Sequence, residues 1–332
     1  MALPRIGVSF DGFLPFRESL DVARSAVAAG ASSLWMAEHL GYRESMTSCM
    51  AFALSFPGVK VVPTAISPFL RHPMPTAMAL ATLAEASPGN VALAVGVGNP
   101  MFLAESGLAM AKPIRAIRES TEMLRALWTA QPVRTAGMLH RLDGASLAFS
   151  PPVSIPIYLT PMKEQMLRLS GRIGDGVVLS AGLSSGFVAH SLAFVDDERR
   201  ATARTGPFVR AAYVYFLASS SPRAGYQTLR TKLAFLMRNR YIDDALAHSG
   251  LPIDQAAIMD AISRRDFGEA TRLVPEEAVE AFTITGTAGQ CSDGIARFQA
   301  AGLDEIVLIM AGGPTDRDTG YRVIREMAGP PV

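Results

Sequence analysis

The order of this sequence predicts an α/β fold of the (β/α)8 barrel kind, and three observations lead there. Short strands that are apolar throughout alternate with amphipathic helical stretches, the pattern of parallel strands buried on both faces. About eight such repeats can be counted, the number that closes a barrel. An open doubly wound sheet would instead place a glycine-rich phosphate turn after its first strand. Here Asp11-Gly12-Phe13-Leu14-Pro15 follows that strand, and Pro15 precludes such a turn.

Taken in order, Arg5–Phe10 (RIGVSF) is short, apolar and β-branched, and stops at Asp11-Gly12. From Phe16 to Ala29 the period changes, with Leu20, Ala23 and Val27 on one face and Gly30 as the stop. Ser33–Ala37 reads as the second strand, followed by a helix over Ser45–Leu54. Lys60–Ile66 is the third strand and Met74–Glu85 its helix. Val91–Val97 is the fourth, broken by Gly98-Asn99-Pro100. Ile114, Ile117, Thr121, Leu124 and Trp128 make the stripe of the next helix. The rhythm repeats in Ile155–Leu159 with Met166–Ile173, and in Gly176–Leu179 with a helix from about Gly186. Val209–Leu217 and Glu305–Met310 complete the strands, and a helix over Thr319–Met327 closes the chain. Residues 219–281 have helical composition and read as an insertion beside the barrel mouth, before the last strand. The expectation is one TIM barrel domain over residues 1–332.

Composition excludes several classes. Apolar residues make up 49 % and charged residues 18 %, enough for a large core. Lys plus Arg total 31 against 30 for Asp plus Glu, so no positive field favours nucleic acid or an anionic membrane. Cys49 and Cys291 fit no metal or redox spacing and read as buried reduced thiols. The start MALPRIGVSF is unlike a secretory signal, and no apolar run approaches the ~18 residues of a membrane helix. A soluble cytoplasmic protein acting on a small molecule is expected. Metal-ligand spacings, G-x-S-x-G and Walker loops are absent from the sequence.

In a barrel, the loops after the C-terminal strand ends build the active site. Those ends supply Asp11, the pair Glu38-His39, Ser67 with Arg71-His72 just beyond, and Gly96-Val97-Gly98-Asn99. They also supply Thr160 with Lys163, Ser180-Ala181-Gly182, and Gly312-Gly313. An acid beside an imidazole after a buried strand suits proton handling. Glycines allow close backbone approach to a flat ligand. Each has a plainer alternative: Asp11 as a turn residue, Glu38 as a helix cap, Arg71-His72-Pro73 as a cap and helix start. His140, His190 and His248 read as surface residues. A mouth with few charges and many small and apolar residues suits a flat, partly apolar cofactor better than a sugar phosphate.

The stretches SLWMAEHL, TAISPFLRHPMPTAMALATLAEASPGNVALAVGVG, KPIRAIRESTEMLRALW, IPIYLTPMKEQMLRLSGRIGDGVVLSAG and LVPEEAVEAFTITGTAGQCSDGIARFQAAGLDEIVL, with RRDFGEA in the insertion, span nearly the whole chain. Through them the sequence resembles the luciferase-like flavin and deazaflavin oxidoreductases, and most of all the methylenetetrahydromethanopterin reductases. The resemblance implies a hydride-transfer enzyme using coenzyme F420 or FMN, and an expected homodimer or higher homo-oligomer. It implies a bulge at the end of strand three, at Ala65-Ile66 with Ser67 beside it, against which the cofactor ring lies. Gly96, Val97, Gly98 and Asn99 would contact the ring or its side chain. Loops at Thr160 to Lys163 and Ser180 to Gly182 would lie under the phosphate. Glu38 and His39 would handle protons.

The departures from the family pattern are specific. Ser9 stands where the methanopterin reductases have a strand-one glutamate, leaving Asp11 as a substitute from the strand end. Met162-Lys163 replaces small residues after strand five, and Lys163 could pair with a phosphate. Ala65 replaces a glycine. Three readings stay open: a reductase of a pterin-like or other cyclic C–N substrate, an FMN-dependent monooxygenase, and a barrel that binds a cofactor without catalysis.

Overall fold

The computed structural model describes residues 4–219 and 222–328; residues 220 and 221, inside the expected insertion, lie outside the described residues. The first half of the barrel runs β1 (Arg5–Phe10), α1 (Phe16–Ala28), β2 (Ser33–Ala37), α2 (Ser45–Ser55), β3 (Lys60–Thr64), α3 (Pro73–Ala86) and β4 (Leu93–Val95). Then come α4 (Pro100–Glu105), α5 (Pro113–Leu127) and a hairpin of β5 (Val133–Ala136) and β6 (Arg141–Ala145). The second half has β7 (Ile157–Leu159), α6 (Glu164–Ile173), β8 (Gly176–Leu179), α7 (Ser185–Ala201) and β9 (Val209–Ala218). An insertion follows: α8 (Pro222–Met237), a 3-10 turn at Arg240–Ile242, α9 (Asp243–Ser249), α10 (Gln255–Ser263), α11 (Phe267–Arg272) and α12 (Glu276–Phe282). It leads into β10 (Thr283–Gly286), α13 (Ala288–Ala300), β11 (Glu305–Met310) and α14 (Pro314–Ala328).

The strands run in the order β3-β2-β1-β11-β9-β8-β7-β4, all parallel. Single bridges at Val61–Val91 and Ile66–Val95 join β3 to β4 and close the ring. The architecture is the expected (β/α)8 barrel. β10 is an addition that sequence pattern did not reveal. It pairs with β9 only from Tyr215 to Ala218, at the mouth end, while β11 pairs with Ala211 to Phe216.

Local chemistry explains the boundaries. Glu44 accepts hydrogen bonds from the N–H groups of Met46 and Thr47 and caps α2. His72 and Asn99 cap α3 and α4, each followed by a proline at the first helical position. The last helix begins at Pro314 rather than Thr319 for the same reason. β4 is shorter than the run Val91–Val97 because Val91 makes only a single bridge to Val61 and Val97 to Asn99 turn into the mouth. The β5–β6 hairpin was not expected, since VRTA and RLDGA are polar and largely exposed.

Two apolar layers hold the barrel. Trp35, Val62, Ala92, Ala94, Tyr158, Val178, Ala211 and Val307 form one cluster, the inward-facing set of the strands. The larger cluster, with Phe52, Leu80, Leu93, Ile306 and Phe298, lies between strands and helices. Full burial of such side chains contributes roughly 1.5–3 kcal/mol each. The insertion has a cluster of its own around Leu229, Leu233, Ile258 and Phe282. Among the described residues no helix is long and apolar enough to cross a membrane, and no group of three or more metal-binding side chains occurs.

Candidate active site

The loops after β1 and β2 meet at His39. Its Nδ1 lies 2.8 Å from the backbone carbonyl of Asp11. A carbonyl only accepts, so Nδ1 carries the hydrogen and Nε2 is left as the nitrogen with a free lone pair. The Asp11 carboxylate accepts from the Phe13 N–H at 2.9 Å and closes a turn. Asp11 thus enters the site through its carbonyl, and its side chain follows the plainer alternative.

Glu38 departs from its expected role. One of its carboxylate oxygens accepts from Arg71 Nε and Nη2 at 3.1 and 2.6 Å, and the other from the Ser45 N–H at 2.9 Å. With its side chain only 7 % exposed, its carboxylate is turned to Arg71 and to the start of α2, while His39 Nδ1 is turned to the Asp11 carbonyl. Arg71 also holds Glu44. Burial works against both charges. The hydrogen bonds from Thr47 and Met46, with the Arg71 charge, still keep Glu44 below its ordinary value, and the two carboxylates keep Arg71 above its own.

A floor of small residues lies beside this corner. The peptide Thr64–Ala65 is cis, one bond ahead of the expected Ala65-Ile66 bulge. Ile66 N–H donates to Ala94 O and Gly96 N–H to Ile66 O, so the ends of β3 and β4 are laced together. Ser67 Oγ donates to Val97 O at 2.8 Å. A side chain at Gly96 would collide with Thr160 Oγ1 and meet Ala65 Cβ at 2.8 Å. Gly98 has φ +84°, a conformation that suits glycine. Asn99 is turned to its cap on α4. Ala65, Ile66, Ser67, Gly96, Val97 and Gly98 are therefore brought together, and Thr160, expected on the phosphate side, joins them against Gly96.

The expected phosphate side looks different. Lys163 Nζ pairs with both Asp243 and Asp244 of α9. Partial burial opposes its charge, but the two acids outweigh it and hold the ammonium above its ordinary value. Its pairing is with the insertion, where a ligand phosphate was expected. A side chain at Gly182 would collide with Leu236 of α8, so that loop is roofed by the insertion. Ser180 Oγ turns to the carbonyl of Ala181, which is buried. At the start of α6 the contact with the insertion is the Lys163 ion pair, and the loop Ser180–Gly182 lies beneath Leu236.

Two tyrosines on β9 were missed. Tyr213 and Tyr215 alternate with buried Val214, Tyr213 packing on the inward cluster and Tyr215 on the insertion; the run AAYVY carried that signal as a period of two. Tyr213 Oη is buried without a hydrogen-bond partner, beside the hydroxyls of Ser9 and Thr64. Burial pushes its proton affinity well up, so it stays a donor. Burial, and then the Asp11 charge, raise Tyr215. The other histidines are also paired. His140 Nε2 contacts Pro68 O at 2.9 Å and its ring meets His72, while His190 and His248 stack at 4.9 Å. A cavity of about 590 Å3 at the opposite end, lined by Trp128, Pro156, Asp175 and Val209, sits at strand starts, away from this chemistry.

The family model described as luciferase-like monooxygenase matches residues 2–305. The chain belongs to that family. It is 26 % identical over 319 residues to 5,10-methylenetetrahydromethanopterin reductase of Archaeoglobus fulgidus, covering 95 % of each chain. The enzyme of the same name from Methanolobus tindarius is 24 % identical over 325 residues, covering 97 % of this chain and 99 % of that one. An F420-dependent glucose-6-phosphate dehydrogenase of Beutenbergia cavernae is 31 % identical over 186 residues, 52 % of this chain and 55 % of its own length. Among solved structures, the coenzyme F420 dependent tetrahydromethanopterin reductase of Methanopyrus kandleri superposes with a TM-score of 0.88 at 22 % identity, covering 98 % of both chains. At that identity the likeness bears on the fold.

Proposed function

We propose that this protein is an oxidoreductase that moves a hydride between coenzyme F420 and a pterin-like or other cyclic C–N substrate, in the manner of the methylenetetrahydromethanopterin reductases it is similar to. The observation that carries the reading is His39, fixed by the Asp11 carbonyl at the edge of the small-residue floor. That floor, with the orphaned Tyr213 hydroxyl beneath the mouth, fits a flat heterocycle that needs close backbone approach and a hydrogen-bond donor. A bound deazaflavin or flavin would supply the hydride chemistry. On the protein's side, Ala65, Gly96 and Gly98 support one face of the ring. His39 Nε2 gives or takes the proton at the substrate atom next to the carbon that changes oxidation state. Glu38 and Arg71 position the start of α2 and thereby the loop that carries His39.

Fluorescence titration with F420 and FMN, oxidised and reduced, tests the reading. Micromolar binding of F420 is the expected result. Preference for reduced FMN would support the monooxygenase reading in its place, and binding of neither would overturn both.

We further infer a homodimer through the outer faces of α2 and α3. These helices have 11 and 14 residues and carry one charged residue between them, Glu85, while Leu54 and Met78 are exposed. Leu54→Glu with Met78→Glu should yield a monomer by light scattering; an unchanged mass would refute this interface.

A further inference from the structure

Three aromatic side chains from three strand-to-helix connections gather at His39, two against its ring and the third, Tyr42, against Phe13. Phe13 follows β1, Tyr42 follows β2, and Phe102 sits on α4. Phe13 and Tyr42 are each 50 % exposed, with ring centroids 4.4 Å apart. Phe13 also lies 5.2 Å from the His39 ring, and Phe102 meets that ring edge-on at 6.2 Å. These groups are held out on a fixed backbone. Gly12 has φ +77° and packs so near Arg43 that a Cβ would lie 3.2 Å from its backbone N and O. Arg43 Nη1 donates to the carbonyls of both Gly12 and Phe13 at 3.1 Å, and the Tyr42 N–H donates to His39 O.

The charges around the wall are equally specific. Arg43 is turned onto those carbonyls, and Arg71 is held by Glu38 and Glu44. The carboxylates of Asp11 and Glu44 flank the same loops. A dianionic phosphate arriving here would meet the Asp11 and Glu44 carboxylates, with Arg71 already paired to acids and Arg43 held by Nη1 on the two carbonyls. An uncharged conjugated ring would meet aromatic faces beside His39 Nε2.

Resting on the oxidoreductase reading, we propose that Phe13, Tyr42 and Phe102 form a stacking wall that determines specificity for the hydride partner, admitting a planar conjugated ring and rejecting a phosphorylated sugar. Calorimetric titration of the full-length protein with 6-methylpterin and with glucose 6-phosphate tests it. Phe13→Ala and Tyr42→Ala should each weaken 6-methylpterin binding about tenfold, the scale of one lost stacking contact. Phe13→Tyr, which keeps the ring, should bind as the unaltered protein does, and F420 affinity should not change in any variant. Glucose 6-phosphate should show no saturable binding. No binding of 6-methylpterin, 6-methylpterin binding by the alanine variants as tight as by the unaltered protein, or saturable binding of glucose 6-phosphate would each overturn the wall. If F420 fails to bind while 6-methylpterin still depends on Phe13 and Tyr42, the cofactor reading falls and the wall stands.

Discussion

On the β1 to β4 side of the mouth, main-chain atoms hold in place the groups proposed to react. The Asp11 carbonyl orients His39, and Ile66 and Gly96 are laced by backbone hydrogen bonds. On the β7 to β9 side, by contrast, exposed ion pairs from Lys163 to Asp243 and Asp244, and the contact of Leu236 over Gly182, do the holding. The first side is set by covalent geometry and buried hydrogen bonds, the second by side chains that can exchange partners. The difference teaches where chemistry and where ligand entry belong. A proton-exchanging atom needs a position fixed to a fraction of an ångström, whereas a phosphate-bearing tail needs a surface that rearranges around it.

Substitutions on the fixed side should be the most damaging. Arg71→Met leaves Glu38 charged and nearly buried, and unfolding in urea should report a loss of about 3 kcal/mol. A loss below about 1 kcal/mol, the range of exposed pairs, would mean that this side is no more rigid than the other. Gly96→Val drives a side chain into Thr160 and Ala65; about 2 kcal/mol of overpacking should appear, along with loss of F420 binding. Tyr213→Phe should raise the stability of the unliganded protein by about 1 kcal/mol, since it removes a buried hydroxyl that has no partner. A fall in stability would show that the hydroxyl is bonded after all.

The exchangeable side should respond weakly. Lys163→Ala should cost less than about 1 kcal/mol, because the pair is exposed and screened by salt. Its pH dependence sharpens the contrast. The hydrogen bond from Lys163 chiefly lowers Asp243, so this contribution is present above the ordinary carboxyl value of 3.8 and is lost as pH falls through the depressed one. Lys163 is raised, so its share is present below 10.5 and is lost as pH climbs through the elevated value. Hydrogen exchange of α9 should therefore be unaffected by this pair from about pH 5 to 9. His72 differs. Burial and then His140 lower it, so docking of the hairpin should weaken as pH falls through about 6.5, the ordinary histidine value.

The same divide separates what was legible in the sequence from what was not. β1, β2, β8 and β11 fall on the residues that pattern assigns, because apolar runs bounded by turn residues leave little choice. The bulge at Ala65 to Ser67 was placed through the family resemblance, and Gly96 to Gly98 also through the close backbone approach that glycine allows. The partner of Glu38 was not readable. Arg71 is 33 residues away in the chain, and only the fold brings its guanidinium to that carboxylate. Lys163 was open to a phosphate as long as Asp243 and Asp244, 80 and 81 residues on, could not be placed. Tyr213 and Tyr215 read as ordinary strand residues until β9 was known to turn Tyr213 onto the inward cluster and Tyr215 onto the insertion. Backbone-determined features follow from local sequence, and side-chain pairings across the barrel do not.

The most direct test of the account is a single-turnover experiment. Reduced F420 is mixed with protein and 5,10-methylenetetrahydromethanopterin, and cofactor oxidation is followed by absorbance in the unaltered protein and in His39→Ala. The account predicts oxidation by the unaltered protein and a rate about 10²–10⁴-fold lower in the variant, with F420 affinity unchanged. Equal rates in the two proteins, with both folded and both binding F420, would contradict it.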